Sequence, residues 1–164
     1  MNYIQVSTDK QIQQVAALAR EIWTEHFTPI IGRAQVEYML ETIQSEDAIT
    51  DQIRNHNFRY YLLEDSAQPI GYCGIVLKPG ELFLSKLYIL KPMRGKGLAR
   101  KAIEFIESIA REHQLDKITL TCNKNNTGPI AAYEKLGFVN TGSIVADIGH
   151  GFIMDDYGMK LDLT

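Results

Sequence analysis

The sequence predicts an α+β fold, and three features of its 164 residues support this. Amphipathic helical patterns fill the first third of the chain. Three consecutive β-like runs follow, and the remainder alternates helical and β patterns. Such an order describes a mixed sheet packed with helices. The length is typical of one domain with a substantial core, so a single domain over residues 1–164 is predicted.

The N-terminal region begins with a short β-like run at residues 2–7 and continues as a helix. Thr8 and Gln11 have the spacing of a capping box, which marks a helix start. Apolar residues then recur every three or four positions, as they do on the buried face of a surface helix. These residues are Ile12, Val15, Ala16, Ala19 and Ile22 or Trp23.

Pro29 and Gly32 are predicted to interrupt this helix within residues 26–32, because both residues disfavour a helix interior. A second amphipathic stretch follows, with Val36, Met39, Leu40 and Ile43 on one face. A short helix is predicted over residues 46–54.

Strands dominate the middle of the chain. Residues 58–65 and 69–78 are aromatic and β-branched runs separated by three residues, a spacing that predicts a hairpin. Pro79-Gly80 and a third run at 81–90 extend it to a three-stranded antiparallel meander.

The last part of the chain predicts a helix over about 97–113, a strand at 117–123 and a short helix near 129–136. Two final strands are predicted within residues 137–148 and 151–163.

The formal net charge of −3 does not favour binding to nucleic acid or to an anionic membrane. Positive charge is local instead, in a cluster near the end of the third run. Its members are Lys86, Lys91, Arg94, Lys96, Arg100 and Lys101.

No targeting segment or membrane-length apolar window occurs in the sequence, so a cytoplasmic protein is expected. Cys73 and Cys122 lie in β-like runs without metal-ligand spacing, which is typical of reduced core residues. The four histidines are scattered, so the sequence offers no metal site.

A glycine turn joins the third run to the helix that follows it. The apolar run stops at Pro92, Gly95 and Gly97 come next, and the helical pattern begins at once. A helix N-terminus presents free N–H groups to an anion, and glycines let the backbone approach that anion closely. A Walker loop does not fit, since Lys96 precedes Gly97 rather than Ser or Thr. A dinucleotide fingerprint would need a glycine where Arg100 stands.

The segment "RGKGLA" at 94–99, with "LYI" before it, resembles the first signature of the GNAT superfamily of acetyl-CoA-dependent N-acetyltransferases. The segment "NNTGPIAAYEKLGF" at 125–138 resembles the second. The two motifs stand at the family's spacing, and the element order fits the family from end to end. The resemblance implies a GNAT fold, with a mostly antiparallel twisted sheet of about seven strands flanked by four or five helices.

The resemblance implies acetyl-CoA as the acyl donor. Backbone N–H groups of the turn would hold the pyrophosphate, and the edge of the preceding strand would hold the pantetheine arm where the sheet splays open. The implied cofactor-binding residues are Leu87, Tyr88, Ile89, Arg94, Gly95, Lys96, Gly97, Leu98, Ala99, Arg100, Asn123 and Asn126.

Tyr133 is the implied catalytic residue, as the proton donor to the thiolate that leaves. Many family members place an acidic residue near Ser85 or Lys86, but this chain has no carboxylate there. The base therefore stays open between ordered water and side chains elsewhere in the chain. The candidate side chains are His26, Glu37, Asp155, Asp156 and Tyr157.

The acceptor is predicted to be a small polyamine-like amine. Trp23, His26, Phe27 and Tyr38 supply aromatic groups, and Asp155 and Asp156 supply carboxylates, a combination that suits a cation. The resemblance to polyamine-acetylating GNATs points the same way. Two alternatives stay open: acetylation of a protein N-terminus or lysine, and a sensor that binds acyl-CoA without turnover. Exposed edges at the terminal strands would allow a homodimer.

Overall fold

A computed structural model describes residues 1–163 and confirms the α+β prediction. The strands are β1 (Asn2–Gln5), β2 (Phe58–Asp65), β3 (Gln68–Lys78), β4 (Glu81–Ile89), β5 (Lys117–Asn123), β6 (Val139–Gly149) and β7 (Phe152–Asp162). The helices are α1 (Asp9–Ile31), α2 (Arg33–Ile43), α3 (Glu46–Asn55), α4 (Leu98–Glu112) and α5 (Thr127–Lys135). A 3-10 turn, Lys91–Met93, follows β4.

The strands form one sheet in the order β1-β2-β3-β4-β5-β7-β6. The pairs β1–β2, β2–β3, β5–β7 and β6–β7 are antiparallel, whereas β4 and β5 run parallel. The parallel pairing joins Leu82 to Ile118 and Phe83 to Thr119. It thus involves two of the nine residues of β4.

The chain divides into two compact units. The first comprises Met1–Val76 and Lys86–Ala99, and the second comprises Leu77–Ser85 and the residues from Arg100 onward. The single domain over residues 1–164 stays a prediction.

Helix α1, in the first unit, begins as predicted but ends later than predicted. The Thr8 side chain accepts a hydrogen bond from the Gln11 backbone, and the Gln11 side chain reciprocates, which confirms the capping box. The predicted interruption at Pro29 is wrong, because the helix continues through it to Ile31. One proline removes one backbone hydrogen bond, and burial of Trp23 and Phe27 on the same helix offsets that loss. The break comes at Gly32, whose φ of 85° ends the helix.

The β2–β3 hairpin is tighter than predicted. Its turn consists of Ser66 and Ala67, with φ of 53° and 64°, and Gln68 already pairs with Asp65. Positive φ at both central residues is typical of the two-residue turns that match the twist of a hairpin.

The second unit is built around α4 and β5. Helix α4 buries an apolar stripe that consists of Ala102, Ile103, Ile106, Ile109 and Ala110. Strand β5 buries Ile118, Leu120 and Cys122. Helix α5 begins at Thr127, two residues before the predicted start.

Strand β6 forms one edge of the sheet and is exposed over most of its length. Val145 is 63% exposed, an unusual degree for a valine in a strand. This edge fits the predicted homodimer, which stays a prediction.

Neither cysteine forms a disulfide, and both are buried. Burial raises the pKa of Cys73 to about 12 and that of Cys122 to about 11, so both thiols stay protonated at neutral pH. No helix within residues 1–163 is long and apolar enough to cross a membrane.

Candidate active site

The glycine turn between β4 and α4 is open, as an anion-binding loop requires. Gly95 and Gly97 have φ of 78° and 74°, and an added Cβ at either position would meet no atom within 4 Å. The glycines are therefore required by the backbone conformation, not by crowding within the protein. The residues from Arg94 to Gly97 are solvent-exposed.

The strand before this turn has one edge directed away from β3. The Leu90 N–H donates to the Ile70 carbonyl at 2.8 Å, so Leu90 faces β3. Because successive residues of a strand direct their N–H and C=O groups to opposite edges, those of Leu87 and Ile89 lie on the other edge. This is the edge that the predicted pantetheine contact requires.

The Arg94 side chain forms a hydrogen bond and an ion pair within the protein. Its Nε donates to the Ile89 carbonyl at 2.9 Å, and its guanidinium lies 3.6 Å from the Glu25 carboxylate. The side chain thus links the glycine turn to both β4 and α1. The Arg94 backbone N–H donates to the Lys91 carbonyl at 3.1 Å, closing the 3-10 turn. Arg94 therefore shapes the turn from both its side chain and its backbone.

The basic cluster divides into two parts. Lys96, Arg100 and Lys101 are exposed at the start of α4, where the helix dipole also favours an anion. Lys86, by contrast, is 7% exposed. Its Nζ lies 5.1 Å from the centre of the Phe58 ring and 6.0 Å from that of Tyr60. Lys86 therefore contributes to the aromatic interior and not to the exposed positive patch.

Burial lowers the pKa of Lys86 to about 8. Below pH 8 the folded protein holds a buried ammonium, whereas the unfolded chain holds a hydrated one with a pKa of 10.5. This difference between the folded-state and unfolded-state pKa of Lys86 lowers the free energy of unfolding by about 3 kcal/mol at neutral pH. That cost disappears as the pH rises from about 8 towards 10.5.

Lys86→Met is therefore expected to stabilise the fold at pH 7. After subtraction of the lost cation–π attraction, the free energy of unfolding should rise by about 1–2 kcal/mol. Urea unfolding at pH 7 and pH 10 measures this, and the gain should shrink at pH 10. Lys78→Met is the matched control, since Lys78 lies 4.6 Å from the Phe83 ring but is exposed. A loss of stability in Lys86→Met that does not vary with pH would contradict the expectation.

Three of the four aromatic residues predicted for the acceptor, Trp23, His26 and Phe27, pack together beside Tyr88. The Trp23 and Phe27 rings lie 5.4 Å and 5.9 Å from the Tyr88 ring, and Tyr72 lies 5.6 Å from it. His26 packs edge-on against Phe27 at 4.9 Å. Trp23 and Phe27 are buried, so their role in this structure is to fix Tyr88 and the end of β4.

A buried polar network lies beside this cluster, and no sequence motif predicts it. The Tyr72 hydroxyl donates to Gln44 Oε1 at 2.6 Å, and Gln44 Nε2 donates to the Tyr60 hydroxyl at 3.1 Å. Tyr60 in turn donates to Gln52. Burial raises the pKa of both tyrosines, which keeps them neutral donors. The network anchors α2 and α3 to β2 and β3.

The two predicted asparagines of the second unit lie at the end of β5. Asn123 Oδ1 accepts from the Asn125 backbone N–H at 2.9 Å, which shapes the turn into α5. Asn126 is 6% exposed, and its amide lies 3.8 Å from the Cys122 sulfur. Both residues therefore hold the turn in place, as asparagines commonly do.

Tyr133 lies on α5 and is half-buried. Its ring packs edge-on against Phe138 at 5.4 Å. The Tyr133 carbonyl also accepts the backbone N–H groups of Leu136 and Phe138, at 3.0 Å and 3.1 Å. The end of the second motif, "LGF", thus fixes the helix end and the orientation of the tyrosine.

The candidate bases differ in their surroundings. Glu37 lies 3.4 Å from Arg20 on the surface, and Asp155 lies 2.8 Å from Lys124 Nζ. Asp156 is 5% exposed, and its Oδ1 has no hydrogen-bond partner. Burial, followed by the charge of Asp155, raises the pKa of Asp156.

Comparison with known proteins identifies relatives along the chain. N-alpha-acetyltransferase MAK3 of Arabidopsis thaliana is 28% identical over 79 residues, which cover 48% of this chain and 40% of that protein. An uncharacterized N-acetyltransferase from the pepI 3' region of Lactobacillus delbrueckii subsp. lactis is 22% identical, over 89% of this chain and 88% of the relative.

The fold has close counterparts among solved structures. The PaiA N-acetyltransferase of Thermoplasma acidophilum, solved in complex with coenzyme A, superposes with a TM-score of 0.79 over 99% of both chains. Its sequence identity is 16%, so this likeness concerns the fold.

The model of the Acetyltransferase (GNAT) family matches residues 15–138, which contain both signature motifs. The match covers three quarters of the chain and includes the glycine turn and the turn that follows β5. The chain belongs to the GNAT family of acetyltransferases, whose acyl donor is acetyl-CoA.

Proposed function

We propose that this protein transfers the acetyl group of acetyl-CoA to a primary amine, and that the amine is small and polyamine-like. The observation that carries the proposal is the glycine turn. It follows β4 directly, holds Gly95 and Gly97 at positive φ with open space above them, and leads into the N-terminus of α4. A pyrophosphate fits such a turn, since its backbone N–H groups and the helix dipole both favour an anion.

In the first unit, the proposed cofactor contacts are backbone groups. The turn from Arg94 to Ala99 would bind the pyrophosphate, and the exposed side chain of Arg100, the first residue of the second unit after this turn, would add a cation. The edge of β4 at Leu87 and Ile89 would bind the amides of the pantetheine arm as another strand would. The Ile89 carbonyl already accepts from Arg94, so the Leu87 groups and the Ile89 N–H are the ones proposed for the arm.

In the second unit, Asn123 and Asn126 are proposed to contact the pantetheine arm, and Tyr133 is proposed as the acid. The amine nitrogen attacks the thioester carbonyl, a C–N bond forms and the C–S bond breaks. The leaving thiolate takes a proton from the Tyr133 hydroxyl, and the amide nitrogen gives its extra proton to water, from which Tyr133 recovers its own. The ring contact with Phe138 supports this role, because it restricts the orientation of the phenol.

The acceptor proposal rests on charge. Asp155 and Asp156 follow one another on β7, and the ring of Tyr157 comes next. The Lys124 ammonium lies 5.4 Å from that ring and 2.8 Å from Asp155, and these contacts of a primary ammonium support the proposal. The name of the Arabidopsis relative favours the alternative acceptor, a protein N-terminus.

An acceptor panel tests the proposal. Thiol release from acetyl-CoA is measured with spermidine-like amines, amino acids and short peptides with free N-termini or lysines, and CoA affinity is measured in parallel. The expected result is amine-dependent thiol release that is fastest with the polyamines. Preference for the peptides would support the alternative acceptor. Tight CoA binding without thiol release for any amine would indicate a sensor and overturn the proposed activity.

A further inference from the structure

Asp155 and Asp156 are adjacent carboxylates on β7. Asp155 and Asp156 carry two negative charges, and Lys124 is the cation that acts on both. The Lys124 ammonium lies 2.8 Å from Asp155 Oδ1. One negative charge is thus balanced by a direct ion pair and the other is not.

Asp156 is the less compensated of the two. It is 5% exposed and its Oδ1 has no hydrogen-bond partner, whereas Asp155 is half-buried and its Oδ1 forms the ion pair with Lys124. The Thr121 side chain interacts with the carboxyl group and lowers its pKa, but burial and the Asp155 charge have the larger, opposite effect. A buried carboxylate oxygen without a partner is costly unless a ligand satisfies it.

The position of Asp156 in the sheet is also informative. In the β5–β7 register it stands opposite Asn123, the last residue of β5. Asn123 is one of the residues proposed for the pantetheine arm. On its other side, Asp156 pairs with Ile144 of β6, which brings no charge. After burial, the charge of Asp156 is the next cause of the raised pKa of the Cys122 thiol.

We propose that Asp156 is the carboxylate that binds the ammonium group of the acceptor and removes its proton before acetyl transfer. The inference deepens the proposed function and depends on it, because it requires an amine acceptor.

The proton balance is simple. An acceptor arrives as R–NH₃⁺, and one N–H bond breaks as Asp156 Oδ1 takes the proton. The freed nitrogen lone pair attacks the thioester carbonyl. The protonated Asp156 then loses its proton to water, so each turnover releases one proton overall. Burial and the charge of Asp155 raise the pKa of Asp156, which makes the carboxylate a stronger base.

The test compares pH profiles of kcat/KM for the amine found in the acceptor panel. Wild type should show an acidic limb set by the ionisation of Asp156, above the ordinary value of 3.8 for a free aspartate. Asp156→Asn should lose that limb, and kcat/KM at pH 7 should fall about 10²–10⁴-fold. CoA affinity should be unchanged, because the variant alters the acceptor side alone.

Asp162→Asn is the control, since Asp162 lies on the same strand with a side chain that is 61% exposed. Thermal unfolding checks the folds. Because the folded-state pKa of Asp156 is raised, its ionised form costs stability above that pKa, so Asp156→Asn should be at least as stable as wild type at pH 7. Asp155→Asn completes the set, since Asp155, Lys124 and Cys122 are the titratable groups that act on or sense Asp156.

Two results would overturn the assignment. One is an unchanged profile and rate in Asp156→Asn. The other is loss of the acidic limb in Asp155→Asn while Asp156→Asn keeps it. Failure of the proposed function would look different, since wild type itself would then bind CoA but release no thiol with any amine, and both proposals would fall together.

Discussion

Gly97→Glu is expected to abolish CoA binding. The variant places a carboxylate in the open space above the glycine turn, where the pyrophosphate is proposed to bind. It also forces a side chain onto a backbone with φ of 74°, which costs about 1–2 kcal/mol for residues other than glycine. Strain and charge repulsion together should weaken binding more than about 100-fold, since each 1.4 kcal/mol is a factor of ten. Calorimetric titration with CoA measures the loss.

Gly80→Glu separates the electrostatic effect from the strain. Gly80 lies in the turn between β3 and β4 with φ of 77°, and its added Cβ would also meet no atom within 4 Å. The backbone strain is therefore matched, whereas the carboxylate is placed at a different turn. Gly80→Glu should bind CoA nearly as tightly as wild type. Equal affinity in wild type and Gly97→Glu, or an equal loss in both variants, would remove the glycine turn from the cofactor site.

Strand and helix patterns predicted the fold well where a local signal decided the structure. The strand at 117–123 matches β5 residue for residue, because alternating apolar residues and the flanking Asp116 and Lys124 bound it on both sides. The capping box at Thr8 is similarly local, since four consecutive residues contain all its partners. Such features depend little on the rest of the chain.

Tertiary context decided the features that the sequence did not predict. Pro29 is a local helix breaker, yet α1 continues through it. The burial of Trp23 and Phe27, which precede Pro29 on the same helix, offsets the cost of the proline. Lys86 belongs to a basic cluster in the sequence, but its alternating position in β4 directs it at Phe58 and Tyr60. The contact partners of Lys86 lie more than 25 residues away, so no window of sequence reveals them.

The candidate site was predictable from the sequence where a local motif determines it, and not where tertiary contacts do. The glycine turn and Tyr133 lie within short motifs, and the structure places the glycines at positive φ before α4 and Tyr133 on α5. Which of the two carboxylates, Asp155 or Asp156, forms an ion pair could not be predicted, because the pairing depends on which cation the fold brings near. Lys124 follows Asn123 in sequence, yet it pairs with Asp155 on β7, and that pairing distinguishes Asp155 from Asp156.

Tyr133→Phe is expected to lower kcat for acetyl transfer about 10²–10⁴-fold, the usual contribution of a positioned acid. CoA affinity should change little, because the residues proposed to bind the cofactor do not include Tyr133. Steady-state thiol release at saturating acetyl-CoA gives kcat, and calorimetry gives the CoA affinity. The substitution removes one hydroxyl and keeps the ring, so the edge-on contact with Phe138 at 5.4 Å should persist.

Tyr133→Ala provides the contrast. It removes the ring as well, so it should lower thermal stability through the lost packing against Phe138, which Tyr133→Phe should not do. If the hydroxyl is the acid, the two variants should lose kcat to a similar extent while differing in stability. If the ring only packs, Tyr133→Phe should turn over at the wild-type rate at every pH, and the proton would then have to reach the thiolate from water or from another side chain. The combination of lost turnover, retained CoA affinity and retained stability in Tyr133→Phe is what a catalytic hydroxyl requires and a packing residue cannot produce.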